Sequence, residues 1–291
     1  MKTVKFLDTD KSEELRSEGK VIFPFLTEKD ISSLLALFST THKSQPDGFY
    51  SSSHAEDKVW RKEISDQILE IIQEKLTPLF ENIHMLGGAF IAKAPGSKGI
   101  LPLHQDWNLV NEKEARSYNL WIPLVDVNTT NGAMRILEKS HLKQETYRGP
   151  NLPPVLYQIN AEVDKHMVSL DMKAGEALLY DHALWHSSPV NQTNELRLAV
   201  VFGVVPIGAD LKFYHQADDQ VEEYASYPNF FFENDPKDGP KGLEKVRSFA
   251  FKSKALNLAE FQEIYLEEKA NAVTMEQQKK RSFLQILGLK K

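Results

Sequence analysis

From residue 85 to residue 206 the chain consists of short apolar or alternating runs separated by Gly, Pro and Asn turns, and this pattern restricts the fold more than any other feature. The runs cover 88–93, 103–110, 119–127, 134–137, 166–170, 176–180 and 196–205. Short runs at regular spacing predict strands of an all-β sandwich or barrel. A parallel βαβ sheet is not expected, because it needs a helix of about 10–15 residues between successive strands and the sequence has no such pattern there. The fold class read from the chain is mainly β with flanking helices.

The flanks read differently. Residues 11–18 form a polar helical stretch stopped by Gly19, and Val21, Ile22 and Phe23 form a short apolar strand. Thr27 followed by Asp30 resembles a capping box, and Ile31, Leu34, Leu35 and Leu37 then give a helical stripe. A second helix is expected over 62–80, where Ile64, Ile68, Ile71, Ile72, Leu76 and Leu79 recur near a period of 3.6. After Gly208 the chain turns aromatic and acidic over 213–232, turn-rich over 234–242, and helical over 258–272 and 274–287. The last helix carries a basic end (Lys279, Lys280, Arg281, Lys290, Lys291) that reads first as a solvated face. One domain over 1–291 is expected, with a β core at about 85–207, helical support over 1–84, and a lid and helices over 208–291.

Charge and residue usage remove several function classes. Lys plus Arg is 35 and Asp plus Glu is 41, a net of −6, which argues against nucleic acid as the main partner. No stretch reaches the roughly 18 apolar residues of a membrane span, and the first residues carry no apolar signal region. There is no cysteine. Disulfides, thiolate metal sites and Cys nucleophiles are therefore ruled out, and any metal must be held by His, Asp or Glu. A cytoplasmic location is expected.

Nine histidines are present, so geometry must select among them. His104 and Asp106 stand two apart in a strand-like run, and residues i and i+2 of a strand share a face. They would supply two of the three groups of a 2-His-1-carboxylate triad, the site of non-haem Fe(II) oxygenases. A third could come from His182 or His186, four residues apart after the apolar run 176–180. Eleven residues beyond His186 lies Arg197, in a strand apolar on both faces. A guanidinium in such a place demands an anion. A protein carboxylate could answer that demand, and so could a dicarboxylate co-substrate held bidentately. An iron site beside a buried anion-binding Arg makes 2-oxoglutarate the economical reading.

These segments resemble the phytanoyl-CoA dioxygenase family of Fe(II)/2-oxoglutarate-dependent oxygenases. The likeness runs to about residue 207. It is carried by 18–27, by Lys93-Ala94-Pro95, by Pro102-Leu103-His104-Gln105-Asp106, by Asn131-Gly132-Ala133-Met134 with Ser140-His141, and by His186-Ser187-Ser188 with Arg197. Glu138-Lys139 stands where the family usually has Pro-Gly, a departure confined to one turn. The resemblance implies a double-stranded β-helix, the cupin-like jelly roll. It implies His104, Asp106 and His186 as catalytic iron ligands, and Arg197 as clamp for the distal carboxylate of 2-oxoglutarate. It further implies Gln105, Trp121 and Ser188 around that co-substrate, with O₂ as the second. The spacing of eleven to Arg197 favours His186 over His182, which lies fifteen away. His141 reads as a surface or turn residue, and His215 as one that could reach the pocket mouth.

The reaction implied is hydroxylation of an unactivated C–H of a small molecule, with release of succinate and CO₂. Related halogenases lack the carboxylate that Asp106 supplies here, which favours hydroxylation. A jelly-roll metalloprotein that uses no 2-oxoglutarate would leave Arg197 without a purpose, and a non-catalytic binding module would not need the triad. A coenzyme A reader should show a basic strip, and only Lys139, Lys143 and Arg148 offer one. The substrate expected is therefore a free amino acid or similar polar metabolite, with an acyl-CoA or lipid-like molecule as the alternative. Nothing in the sequence sets the oligomeric state.

Overall fold

The computed structural model describes residues 1–44, 46–143 and 146–266. Helix α1 (Thr9–Glu18) is capped by the Asp8 carboxylate, which accepts from the Asp10 and Lys11 N–H groups, and it ends at Gly19 with φ 75°. Strand β1 (Lys20–Pro24) follows. Helix α2 (Glu28–Thr41) begins with the expected capping box between Thr27 and Asp30. After β2 (Phe49–Ser51), helix α3 (Lys58–Ile72) buries Ile64, Ile68 and Ile72. It starts four residues before the expected position and stops eight short of residue 80. Asp57 caps the earlier start. Pro78 disfavours helical geometry for the residue before it, so the stripe continues only as the 3₁₀ turn Gln73–Lys75.

The remaining strands are β3 (Ile83–Lys93), β4 (Leu101–His104), β5 (Tyr118–Pro123), β6 (Arg135–Ile136), β7 (Val168–Ser169), β8 (Glu176–Asp181), β9 (His186–Ser188), β10 (Arg197–Pro206), β11 (Lys212–Ala217), β12 (Gln220–Ala225) and β13 (Glu244–Ala250). A larger sheet runs β1-β8-β5-β10-β3-β2 and a smaller one β4-β9-β6-β7, with antiparallel pairing throughout. The larger sheet packs α1–α3 on one face through Leu34, Ile64, Ile68, Phe90, Val200 and Phe202. Its other face meets the smaller sheet through Trp121, Leu178, Tyr180, Ala199, Ile136 and Leu184. Two antiparallel sheets closed over one another, with helices outside, form the jelly-roll core.

Two further places depart from the sequence reading. The strand expected over 103–110 ends at His104, because the Asp106 N–H leaves the ladder and donates to the His182 carbonyl at 3.0 Å. After Gly208 the chain forms a third sheet, β11-β12-β13, rather than helices alone. Asp218 makes its first tight turn with φ 52°. Of the helix expected over 258–272, Leu258–Phe261 and a π turn at Gln262–Leu266 are present. The helix expected over 274–287 and its basic end lie outside the described residues. Among the described residues no helix is long and apolar enough to cross a membrane.

Candidate functional site

The pairing of β4 with β9 sets His104 directly opposite His186, with ring centroids 4.2 Å apart. Asp106 completes the group: one carboxylate oxygen lies 3.7 Å from His104 Nε2 and the other 3.7 Å from His186 Nε2. The three ligand atoms all lie within 4.8 Å of one another. Each imidazole is oriented by the same local device. His104 Nδ1 sits 2.8 Å from the Pro102 carbonyl and His186 Nδ1 2.9 Å from the Leu184 carbonyl, each two residues back. A neutral ring in that contact carries its proton on Nδ1 and turns the Nε2 lone pair towards the shared point.

The carboxylate is held as firmly. Asn119 Nδ2 donates to Asp106 Oδ2 at 2.9 Å and to the Tyr180 hydroxyl at 3.1 Å, and the Tyr180 hydroxyl bonds the same carboxylate. Asn119 and Tyr180 face each other across β5 and β8. Burial pushes the Asp106 carboxyl up, but His186, His182, His104 and the Tyr180 hydroxyl outweigh it and hold the group below the ordinary carboxylate range. Burial, helped by His104, pushes His186 down to about 4. An ionised carboxylate beside a neutral imidazole is the protonation state a divalent cation needs, so this donor set fits a metal such as iron.

Ser188, two residues along β9 from His186, leads from the triad to a second cluster. Arg197 opens β10 and is buried. Its Nη1 donates to the Gly132 carbonyl at 2.8 Å and lies 3.4 Å from Ser188 Oγ. Its guanidinium stands 5.4 Å from the centre of the Trp121 ring. Its Nε is buried with no partner, and burial pushes the group down to about 10 with no carboxylate to offset it. The ion pair left open by the sequence is absent among the described residues.

Directly opposite Arg197 on β3 stands Lys93, wholly buried. Its Nζ donates to Ser188 O at 2.9 Å, Ser188 Oγ at 2.7 Å and Pro189 O at 2.5 Å. Burial, together with the Arg197 charge, pushes Lys93 down to about 7. Gly132 packs against this pair at φ 80°, where a Cβ would come within 2.7 Å of Pro189 O and 2.9 Å of Lys93 Cδ. Two buried cations thus stand side by side with no carboxylate partner among the described residues, and the unpartnered Arg197 Nε leaves a donor that fits a bound carboxylate.

Trp121 and Ser188 are brought to Arg197 as the resemblance implies. Gln105 is not. It lies just past the end of β4, and its Nε2 donates to Ala183 O at 2.6 Å. It lines instead a cavity of about 200 Å³ beside His104. The structure brings His186, not His182, to the other two groups. His182 Nδ1 contacts Ser117 Oγ at 3.0 Å, and its Nε2 is buried without a partner. His141 is buried rather than at the surface, with Nε2 3.2 Å from the Arg16 carbonyl. His215 pairs with Asn151 at 3.2 Å. Arg148 leaves the supposed basic strip altogether, being buried against Glu112. Sequence reasoning missed Lys93, Asn119 and Tyr180 as functional residues. A polar residue in an otherwise apolar run was the available signal for Asn119.

A jelly roll bearing two histidines and a carboxylate where two strands meet defines a 2-His-1-carboxylate protein. Residues 3–199 match the model of the family described as phytanoyl-CoA dioxygenase (PhyH), and the chain belongs to that family. It is 31% identical over 119 residues to a phytanoyl-CoA dioxygenase of Arabidopsis thaliana, covering 40% of this chain and 42% of that protein. It is 27% identical over 135 residues to the dioxygenase andF of Emericella variicolor, covering 44% and 42%. The chain thus spans less than half the length of these curated relatives. Among solved structures, the non-haem alpha-ketoglutarate-dependent carbocyclase SnoK of nogalamycin biosynthesis shares the fold at a TM-score of 0.50. That match is 18% identical and covers 71% of this chain and 86% of the other.

Proposed function

We propose that this chain is an Fe(II)/2-oxoglutarate-dependent dioxygenase that hydroxylates an unactivated C–H of a small molecule and releases succinate and CO₂. His104, Asp106 and His186 would hold the iron, Arg197 would hold the distal carboxylate of 2-oxoglutarate, and Lys93, whose three N–H donors go to Ser188 and Pro189, would lend its charge beside it. The observation that carries this reading is the pair of facing, buried cations without a carboxylate, reached from the His-Asp-His group through Ser188. A metal-binding jelly roll that used no 2-oxoglutarate would bear the cost of both buried charges for nothing.

Bound iron and 2-oxoglutarate supply O₂ activation coupled to oxidative decarboxylation. The chain supplies the rest. The Trp121 face limits where the Arg197 fork can swing, so the co-substrate is held in one orientation. Lys93 adds a second positive charge against a dianion. Asn119 and Tyr180 fix the Asp106 carboxylate in place, and its presence favours hydroxyl transfer over halogenation. The helices over 1–84 and the segment from 208 act as supports and cover of one catalytic domain. The absence of cysteine is compatible with a cytosolic setting, and the acidic balance with a small-molecule substrate rather than nucleic acid.

Equilibrium dialysis with radiolabelled 2-oxoglutarate and Fe(II) tests this. One equivalent of each should bind, with 2-oxoglutarate lost in Arg197→Ala and iron retained. Equal 2-oxoglutarate binding in Arg197→Ala would refute the assignment.

A further inference from the structure

We propose that Arg148 is a positioning residue for the metal site. It grips the Asp106 main chain at one end of a buried row of alternating charges, whose other end holds the turn leading to His186. The proposal rests on the dioxygenase reading above, which takes Asp106 and His186 as iron ligands, and it adds a residue that reading does not use.

Asp106 needs such a grip because it lies outside the strands. β4 ends at His104, so no strand partner fixes the peptide two residues further on. The Asp106 N–H donates to the His182 carbonyl at 3.0 Å, and its carbonyl accepts from Arg148 Nε at 2.6 Å. The main chain of the same arginine brackets Asn108. The Arg148 N–H donates to Asn108 Oδ1 at 2.5 Å, and the Arg148 carbonyl accepts from the Asn108 N–H at 3.2 Å. Residues 106–108 are thus held by one residue through side chain and backbone together. Asn119 fixes the carboxylate end of Asp106, and Arg148 fixes its peptide end.

Arg148 is itself fixed by charge. Its Nη1 and Nη2 donate to Glu112 at 3.1 and 2.5 Å. Arg116 Nη1 lies 3.8 Å from the same carboxylate. Arg116 Nε and Nη2 then donate to the two oxygens of Asp181 at 2.8 and 2.7 Å. Asp181 Oδ1 accepts from the Ala183 N–H at 2.8 Å, within the turn between β8 and β9 that precedes His186. The four side chains alternate in sign and are at most 14% exposed. Two forked pairs of this kind fix geometry as well as charge. A buried ion pair is a poor source of stability compared with apolar residues of similar size. What this row supplies is a fixed spacing, outside either sheet, between the segment that carries Asp106 and the turn that leads to His186.

The test uses the full chain, stripped of metal, as wild type, as Arg148→Lys and as the double variant Glu112→Met/Arg148→Met. Each is followed by hydrogen–deuterium exchange, Co(II) titration and thermal melting. Lysine keeps a positive charge facing Glu112 but puts a methylene where Nε stands, so the Asp106 carbonyl loses its donor. The double variant also removes the donor, and it removes the buried pair as a unit, which leaves the melting temperature near wild type. Both variants should bind Co(II) about 10- to 100-fold more weakly, the usual cost of losing a group that orients a metal ligand. Exchange over 105–108 should quicken in both while β10 exchanges as in wild type. Unchanged Co(II) affinity in either variant would overturn the proposal. So would exchange that quickens in β10 as much as over 105–108, with a matching fall in melting temperature, because that marks a merely structural arginine. A wild type that binds no Co(II) would sink the iron reading and the proposal with it. A wild type and variants that bind Co(II) equally would sink the proposal alone.

Discussion

At the scale of single residues, the decisive groups are the titratable side chains that the fold gathers around two points, the His-Asp-His group and the Lys93 and Arg197 pair. His104→Ala, Asp106→Ala and His186→Ala should each lose most Fe(II) binding, measured by dialysis. His182→Ala should keep it, because that ring turns to Ser117. Lys93 yields a pH prediction. Its folded pKa, about 7, lies below its ordinary 10.5. The folded state therefore binds fewer protons between these values, and stability rises with pH across that window. The cost of burying charged Lys93 is fully present below pH 7 and relieved towards pH 10.5. Lys93→Met removes it, so the variant's melting temperature should match or exceed wild type at pH 7, and the difference should shrink by pH 9. The same variant should raise the 2-oxoglutarate KM by about tenfold, about 1.4 kcal/mol for one positive charge lost beside the dianion. In wild type that KM should rise further above pH 7 as Lys93 loses its proton, and in Lys93→Met it should not. A Lys93→Met protein less stable at pH 7 with unchanged KM would show a merely structural lysine. The triad was legible because His104 and Asp106 stand two apart in a strand-like run, although the strand itself ends at His104. Lys93 was not, since a lysine ending an apolar strand reads as a solvated edge until its neighbour across the sheet is known to be Arg197.

At the scale of elements, turns place the site as much as strands do. Gly19 ends α1 at φ 75°, and a Cβ there would lie 2.4 Å from the His141 ring. Gly19→Ala should therefore lower the melting temperature by about 4 °C or more, combining roughly 1–2 kcal/mol for the left-handed backbone with the displaced ring. A change below 1 °C would mean that the turn is not under this constraint. Lys139 occupies the same left-handed region at φ 59°. The departure from the family's Pro-Gly therefore keeps the turn and accepts strain, with the Nζ contact to Glu18 at 3.1 Å beside it. The strands of the core were legible from their spacing, and so was the capping box of α2. The third sheet was not. β13 is exposed along nearly all its length, and Glu222, Glu223, Lys245 and Arg247 hold it to β12 through ion pairs. No apolar alternation remained to announce it.

At the scale of the whole molecule, the helices brace one face of the larger sheet, and the smaller sheet and the C-terminal sheet shape the cavity on the other side. The cavity was not readable in the sequence, because its wall is assembled from 104–107, 146–155 and Trp185 and supported by residues beyond 213. The His104, Asp106 and His186 group and the Lys93 and Arg197 pair lie at or beside strands that the sequence pattern does announce, so the reaction class was accessible where the substrate was not. The most direct measurement of the central claim is succinate formed per 2-oxoglutarate consumed, with Fe(II) and O₂, in wild type and in two variants. One succinate per 2-oxoglutarate is expected in wild type, none in Asp106→Ala, and a 2-oxoglutarate KM raised about 10- to 1000-fold in Arg197→Ala. Full turnover in Asp106→Ala, or an unchanged KM in a folded but less stable Arg197→Ala, would contradict the account.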